Sequence, residues 1–241
     1  MRILAIDTTG DWGGAAIFQD DACLASVGQQ GFQNYSVTLF ESVNSVLAAA
    51  RLNLNEIDLF AAANGPGSFT GIRVGLAAVQ GWARAFSKPA RGVSILEAMA
   101  ETAAAPLTLS ILDARRGEFY ARLFRLQDDG SNDAPGSRGA QRLAPLSEGV
   151  ILKPEGVLPF LHSQGYQEGD CTGVARENDL HACALAQSLA DILRWRIVSA
   201  SLFPAIARLA AASAGEKIAP LPEDLTAYYI RRPDAEINWK Q

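Results

Sequence analysis

LAIDTTGDWGGAAIF (Leu4–Phe18) and SILDARRGEFYARLF (Ser110–Phe124) are the two stretches on which the fold turns. Each is an apolar strand that ends in an aspartate, Asp7 or Asp113. Each then passes through a short turn containing Gly and returns as a second strand. Similar hairpins about a hundred residues apart predict an internal repeat, and so two lobes of related topology. The reading places the first lobe at residues 1–105 and the second, with a C-terminal tail, at residues 106–241. The fold class expected is α/β, with mixed sheets flanked by helices in both lobes.

Working outward, Arg2–Thr8, Gly13–Gln19 and Ala22–Gln29 read as three successive strands. The period then changes. Leu39, Phe40, Val43, Val46, Leu47 and Ala50 recur at spacings of three and four, which predicts an amphipathic helix over Ser36–Ala50. Ile57–Ala63 is a buried strand. After it comes NGPGSFTGIRVGLAAVQGWARAF (Asn64–Phe86), a Gly-rich turn and then a helix from about Thr70. Ser68 or Thr70 is suited to cap that helix. A short strand at Arg91–Val93 and a helix opened by Ser94 and Glu97, at capping-box spacing, complete this half. Pro106 marks a fresh start, with strands at Leu107–Leu112 and Glu118–Leu126. Gln127–Gln141 is a polar loop. Cys171–Ala175 is a short strand or turn, His181–Ala200 and Pro204–Ala214 are helical, and Lys217–Gln241 is an extended tail.

The composition narrows the function. The chain has 241 residues, 49% hydrophobic and 20% charged, with a net charge of -5. That balance suits globular cores and does not suit a protein that binds nucleic acid unaided, which usually carries a strongly basic face. The 3 cysteines are far apart and form no CxxC, which fits a reducing cytosol. The opening MRILAIDTTG is too short an apolar run for a signal peptide, and no stretch reads as a membrane span. A cytoplasmic protein away from membranes is the expectation.

Catalytic motifs are missing. The only histidines are His162 and His181, so neither HExxH nor HxxxH is present and no metal site is expected. GxSxG is absent too, and no catalytic residue is assigned. GPGSFTG is not a Walker loop, because Gly71 is followed by Ile72 and Arg73 where Lys and Ser or Thr would stand. Asp7, Thr8 and the Gly13-Gly14 turn have the layout of an anion-facing hairpin. With Asp113 they leave open a nucleotide-binding phosphohydrolase or phosphotransferase.

The helix after the Gly-rich turn carries two lines of residues. One is apolar: Leu76, Val79, Ala83 and Phe86. The other is mostly small: Gly71, Gly75, Ala78, Trp82 and Ala85. Glycine inside a helix costs roughly 1 kcal/mol against alanine, and small residues let helix backbones approach closely. A helix apolar on two sides needs two neighbours. One is its own lobe. The second is the Ser36–Ala50 helix, another chain, or both.

IDTT near the start, the GPGSFTGIRVGLAAVQGWA block and ILDARRGEFYARLF resemble the TsaB (YeaZ) family. The resemblance covers most of residues 1–125, and Tyr229-Ile230-Arg231 is similar to the family's closing Tyr-x-Arg. It implies the two-lobed fold of actin, sugar kinases and the heat-shock ATPases. It implies a noncatalytic subunit that pairs with a TsaD-like protein and works with a TsaE-like ATPase. That complex forms threonylcarbamoyladenosine beside the anticodon of tRNAs reading codons that begin with A. It further implies that tRNA is met through the complex, that ATP and a metal ion sit on the partners with no cofactor on this chain, and that the chain alone forms homodimers. The pairing surface implied is the two helices Ser36–Ala50 and Thr70–Phe86, with Leu39, Phe40, Val43, Leu47, Gly71, Gly75, Ala78 and Trp82 at the interface. Such a bundle would bury more than about 1,000 Å². Relatives were once named peptidases, a reading the lack of paired histidines disfavours. Many family members carry Arg-x-His-Ser-Glu before the first of these helices. Here Tyr35 stands where His would and Val37 where Glu would, so the first turn is less polar.

Overall fold

A computed structural model describes residues 1–31, 35–128, 141–214 and 225–231. The chain divides into two compact units, Met1–Ala98 with Ser201–Gln241, and Met99–Ala200.

The first unit is built on a five-stranded sheet. Its strands are β1 (Arg2–Asp7), β2 (Trp12–Gln19), β3 (Ala22–Gln30), β4 (Leu59–Gly65) and β5 (Ala90–Ser94), in the order β3-β2-β1-β4-β5. β1 runs antiparallel to β2, and β2 to β3, as consecutive hairpin strands do. β4 and β5 are parallel additions reached through helices. These are α1 (Tyr35–Ala50), ahead of β4, and α2 (Phe69–Phe86), between β4 and β5. Leu4, Ile6, Phe60 and Ala62 share one core with Leu39 and Val43 of α1 and with Ile72, Leu76 and Val79 of α2. The alternating residues Ile3, Ala5, Leu59 and Ala61 face the other way and are equally buried. Strands covered on both faces read as continuous apolar runs, which is why RILAID shows no alternation.

The second unit repeats this plan. β6 (Leu107–Asp113), β7 (Phe119–Asp128) and β8 (Gln141–Pro145) form the antiparallel half, with β9 (Val150–Leu152) beside β7. β10 (Thr172–Arg176) and β11 (Arg194–Val198) add in parallel, giving the order β11-β10-β6-β7-β8. With the short β9 left out of the numbering, both sheets run third-second-first-fourth-fifth. α4 (Val157–Ser163) comes before β10 and α5 (Leu180–Ser188) joins β10 to β11, as α1 and α2 do in the first unit. α3 (Ile95–Ala103) carries the chain across the division. Two mixed-sheet lobes of one topology are what the paired hairpins predicted, and they agree with the actin-like, sugar-kinase and heat-shock-ATPase fold that the family resemblance implies.

Three expectations are corrected. The helix expected over His181–Ala200 stops at Ser188, and its second half is β11, whose Ile197 lies opposite Ala175 of β10. RWRIV carries a Trp, an Ile and a Val, which pack well on a pleated surface once a neighbouring strand is there. The boundary at 105/106 also fails for the chain's end. α6 (Phe203–Ala214) packs on β1, β2, β4 and β5 of the first unit, burying Phe203, Ile206 and Ala210. That helix supplies the apolar cover that Ile3 and Ala5 need. Third, Ser94 immediately precedes α3 but does not cap it, since its Oγ is buried with no hydrogen-bond partner. The predicted loop at 127–141 begins and ends inside β7 and β8, and its interior, 129–140, lies outside the described residues, as do parts of the expected tail. Of that tail, Leu225–Arg231 forms neither helix nor strand, and Leu225 is buried in the first unit's core rather than lying on the surface.

Candidate functional site

The Gly-rich turn fastens α2 onto the end of β1. The Ser68 amide donates to the Thr9 carbonyl at 2.6 Å. Ser68 Oγ accepts from the Gly71 amide at 3.2 Å, which makes Ser68 the N-cap. Thr8 Oγ1 in turn donates to the Gly71 carbonyl at 2.7 Å. The approach is so close that a Cβ on Gly71 would collide with the Thr8 carbonyl, and one on Gly75 with Thr8 Oγ1. Gly67, with φ at 156°, likewise leaves no room for a Cβ beside Thr9. GPGSFTG is thus a turn that seats a helix on its own strand.

This corrects the expected interface set. Leu39, Val43 and Leu47 point into the first unit's core. Gly71 and Gly75 are buried against Thr8, because a small-residue stripe has the same sequence signature whether its neighbour is another chain or the next strand. Ala78 and Trp82 are half-buried, and Phe40 is 49% exposed. The surface left exposed to solvent on the two helices is therefore rotated from the predicted one. On α1 it comprises Val37, Phe40, Glu41, Asn44 and Ala48, and on α2 Arg73, Ala77, Gly81, Arg84 and Ala85. Phe40 and Trp82 bind the two helices into one surface. The predicted set missed Ala77, Gly81 and Arg73. Their signal was present, since 73, 77 and 81 are spaced one turn apart on a single face.

The residues of the nucleotide alternative are engaged locally. Asp7 is fully buried, and its Oδ1 accepts from the Thr9 amide at 2.9 Å and the Thr9 hydroxyl at 2.7 Å. In the second unit, Asp113 Oδ1 accepts from the Arg115 amide at 2.8 Å, and Oδ2 lies 3.1 Å from His181 Nδ1. The Asp113 amide donates to Asp179 Oδ2 at 2.7 Å, while Asp179 Oδ1 caps α5 through the Ala182 amide. His162 pairs with Glu168 at 2.8 Å. A backbone hydrogen bond in its own turn, and then His162, hold the Glu168 carboxyl below its ordinary range. Among the described residues no group of three or more His, Cys, Asp or Glu is placed to hold a metal ion. Among them, no helix is long and apolar enough to cross a membrane.

Comparison with known proteins places this surface in context. Residues 29–142, which include α1 and α2, match the TsaD family model, described as tRNA N6-adenosine threonylcarbamoyltransferase. The tRNA threonylcarbamoyladenosine biosynthesis protein TsaB of Escherichia coli K12 is 34% identical over 134 residues, 54% of this chain and 58% of that protein. Its counterpart in Bacillus subtilis 168 is 32% identical over 130 residues, 53% of this chain and 57% of that one. The chain thus spans about half the length of the curated relatives it matches. A crystal structure from Pseudomonas aeruginosa, described as an uncharacterized protein with similarity to the peptidase YeaZ, is 25% identical. It covers 95% of this chain and 99% of its own, with a TM-score of 0.70.

Proposed function

From a chain that belongs to the TsaB/YeaZ family, we propose that this protein is a noncatalytic scaffold and activating subunit in the formation of threonylcarbamoyladenosine on tRNA. It docks a TsaD-like protein through the free face of α1 and α2. A TsaE-like ATPase joins the assembly in the cytoplasm, and tRNA is met through the complex. ATP and a metal ion belong to the partner subunits. Alone, the chain pairs with itself through the same face.

One observation carries this reading. Phe40 remains 49% exposed although its ring is held edge-on by Trp82 5.9 Å away. A large aromatic fixed in place yet left in water is the type of anchor that dominates protein interfaces. Val37, 58% exposed, lies one turn before it, where the resembling family usually has Glu. The substitution makes the surface more apolar and favours packing over a charged contact. Ala77 and Gly81 on α2 are small enough for another helix to come close.

Light scattering of the chain alone and mixed with the TsaD-like protein of the same organism tests the reading. A one-to-one complex that forms at the expense of a homodimer is the expected result. Failure to associate at micromolar concentration would sink it. The alternative, a nucleotide-handling enzyme with Asp7, Thr8 and Asp113 about the phosphates, predicts heat on titration with ATP and magnesium, and the scaffold reading predicts none.

A further inference from the structure

Arg73 stands on the free face of α2, one turn before Ala77. Its guanidinium carbon lies 3.7 Å from the centroid of the Phe69 ring. Tyr229 stacks on that ring with centroids 5.2 Å apart and planes at 29°. The Tyr229 hydroxyl oxygen accepts from Arg73 Nε at 3.3 Å. Phe69 and Arg73 are four residues apart on one helix, so their contact is local. Tyr229 arrives from the far end of the chain. Its segment is held by the Tyr228 amide donating to the Asn64 carbonyl at 2.8 Å and by Asn64 Nδ2 donating to the Thr226 carbonyl at 3.2 Å. Gln80 Nε2 donates to the Leu225 carbonyl at 2.9 Å, and Leu225 itself is buried.

Arginine has five donors in a rigid fork and ordinarily loses considerable rotamer freedom when it binds. Here aromatic packing and one hydrogen bond have already oriented the side chain, yet only Nε is used. Among the described residues nothing accepts from its two terminal nitrogens. An exposed guanidinium packed over an aromatic ring, with its terminal nitrogens still available, is prepared for a bidentate oxyanion.

A carboxylate and a phosphate share that chemistry, and the surroundings favour the carboxylate. Binding to a nucleic-acid backbone draws on clustered Lys and Arg, whereas this chain carries a net charge of -5. The residues that continue the face beyond Arg73 are Ala77, Gly81, Arg84 and Ala85, three of them small enough for packed side chains, with Arg84 the one further cation about three turns away. We propose that Arg73 is the charged anchor of the α1–α2 docking face, taking the carboxylate of an acidic side chain on the partner protein, and that Tyr229 is the positioning residue that aims it. The inference rests on the docking reading above.

Isothermal titration with the TsaD-like protein of the same organism, at low and high salt, tests it. Arg73→Ala weakens binding by about tenfold or more and flattens its salt dependence. Arg73→Lys, which keeps the charge and loses the fork, falls between. Tyr229→Phe keeps the stack and loses the hydroxyl. It weakens binding by roughly threefold, an effect that disappears when Arg73 is already Ala. Ala77→Arg, which blocks the face sterically, serves as control. If Ala77→Arg abolishes binding while Arg73→Ala stays within about twofold of the parent with the same salt slope, the anchor is overturned and the docking reading stands. If the parent chain itself does not bind, or neither variant matters, both are overturned. A larger loss toward a tRNA transcript than toward the protein would assign the fork to phosphate and overturn the carboxylate.

Discussion

Phe40 of α1 and Trp82 of α2 meet edge to face, with ring centroids 5.9 Å apart and planes at 89°. Trp82 also lies 6.0 Å from Phe60 of β4, so a core strand, a half-buried indole and an exposed phenyl ring form one column. The column gives the exposed ring a fixed orientation. Phe40→Asp should therefore leave the first unit folded, at a cost of about 1 kcal/mol for the lost aromatic pair. It should weaken association with a TsaD-like protein by about a hundredfold, as expected of an interface hot spot. Thermal melting and sedimentation of the same preparation separate the two effects.

The glycines of α2 divide by what lies over them. A Cβ on Gly71 would collide with the Thr8 carbonyl, a backbone atom that cannot swing away. Gly71→Ala should lower the free energy of unfolding by about 1–3 kcal/mol. A Cβ on Gly81 meets nothing within 4 Å. Gly81→Ala should raise it by roughly 0.5–1 kcal/mol, because alanine loses less backbone freedom in a helix. Urea titrations of the two variants should move in opposite directions. For the same reason Gly75→Trp should unfold the first unit rather than merely block pairing.

In the second unit Asp179 joins two elements, capping α5 through the Ala182 amide and accepting the Asp113 amide at the end of β6. Asp179→Ala removes both acceptors and should cost about 1–3 kcal/mol. Asp179→Asn, which keeps an acceptor oxygen, should recover part of that loss in the same denaturant experiment.

The cysteines differ in reactivity. Cys23 is exposed, whereas Cys171 is 1% exposed and burial pushes its thiol up from the ordinary 9.0 to about 12. Iodoacetamide at mildly alkaline pH should label Cys23 in the native protein and Cys171 only after unfolding, as read by peptide mass spectrometry. The pH dependence follows from the sign of the shift. The folded state holds the Cys171 proton more tightly than the unfolded state does, so its contribution to stability is fully present below the ordinary thiol value. It is lost as pH rises from there toward about 12.

Much of the first unit was legible because its signals are local. The 3.6-residue period of α1 and α2 and the capping oxygen of Ser68 depend on neighbours a few positions away, and α2 begins at Phe69, one residue from the predicted start. Even the duplication was readable from two hairpins. β11 was not, because RWRIV becomes a strand through pairing with β10, on the far side of α5. Nor was the fork of Arg73, whose hydroxyl partner lies 156 residues away.

The sequence by itself determined the alternation of strands and helices, the repeated Asp-ended hairpin and the turn that launches α2. These follow from periodicity and from backbone demands that a few residues express alone. Only the tertiary structure decided which side of α2 is interior. Gly71 and Gly75 form a small-residue stripe that would serve a partner helix or a neighbouring strand equally well, and Thr8 occupies it. It also returned α6 and Leu225 to the first unit, because α6 buries its apolar side against a sheet face that the preceding chain had left to be covered. Which surface is left for a partner is a remainder, set by what the chain has already buried, and that sum is taken over contacts distant in sequence.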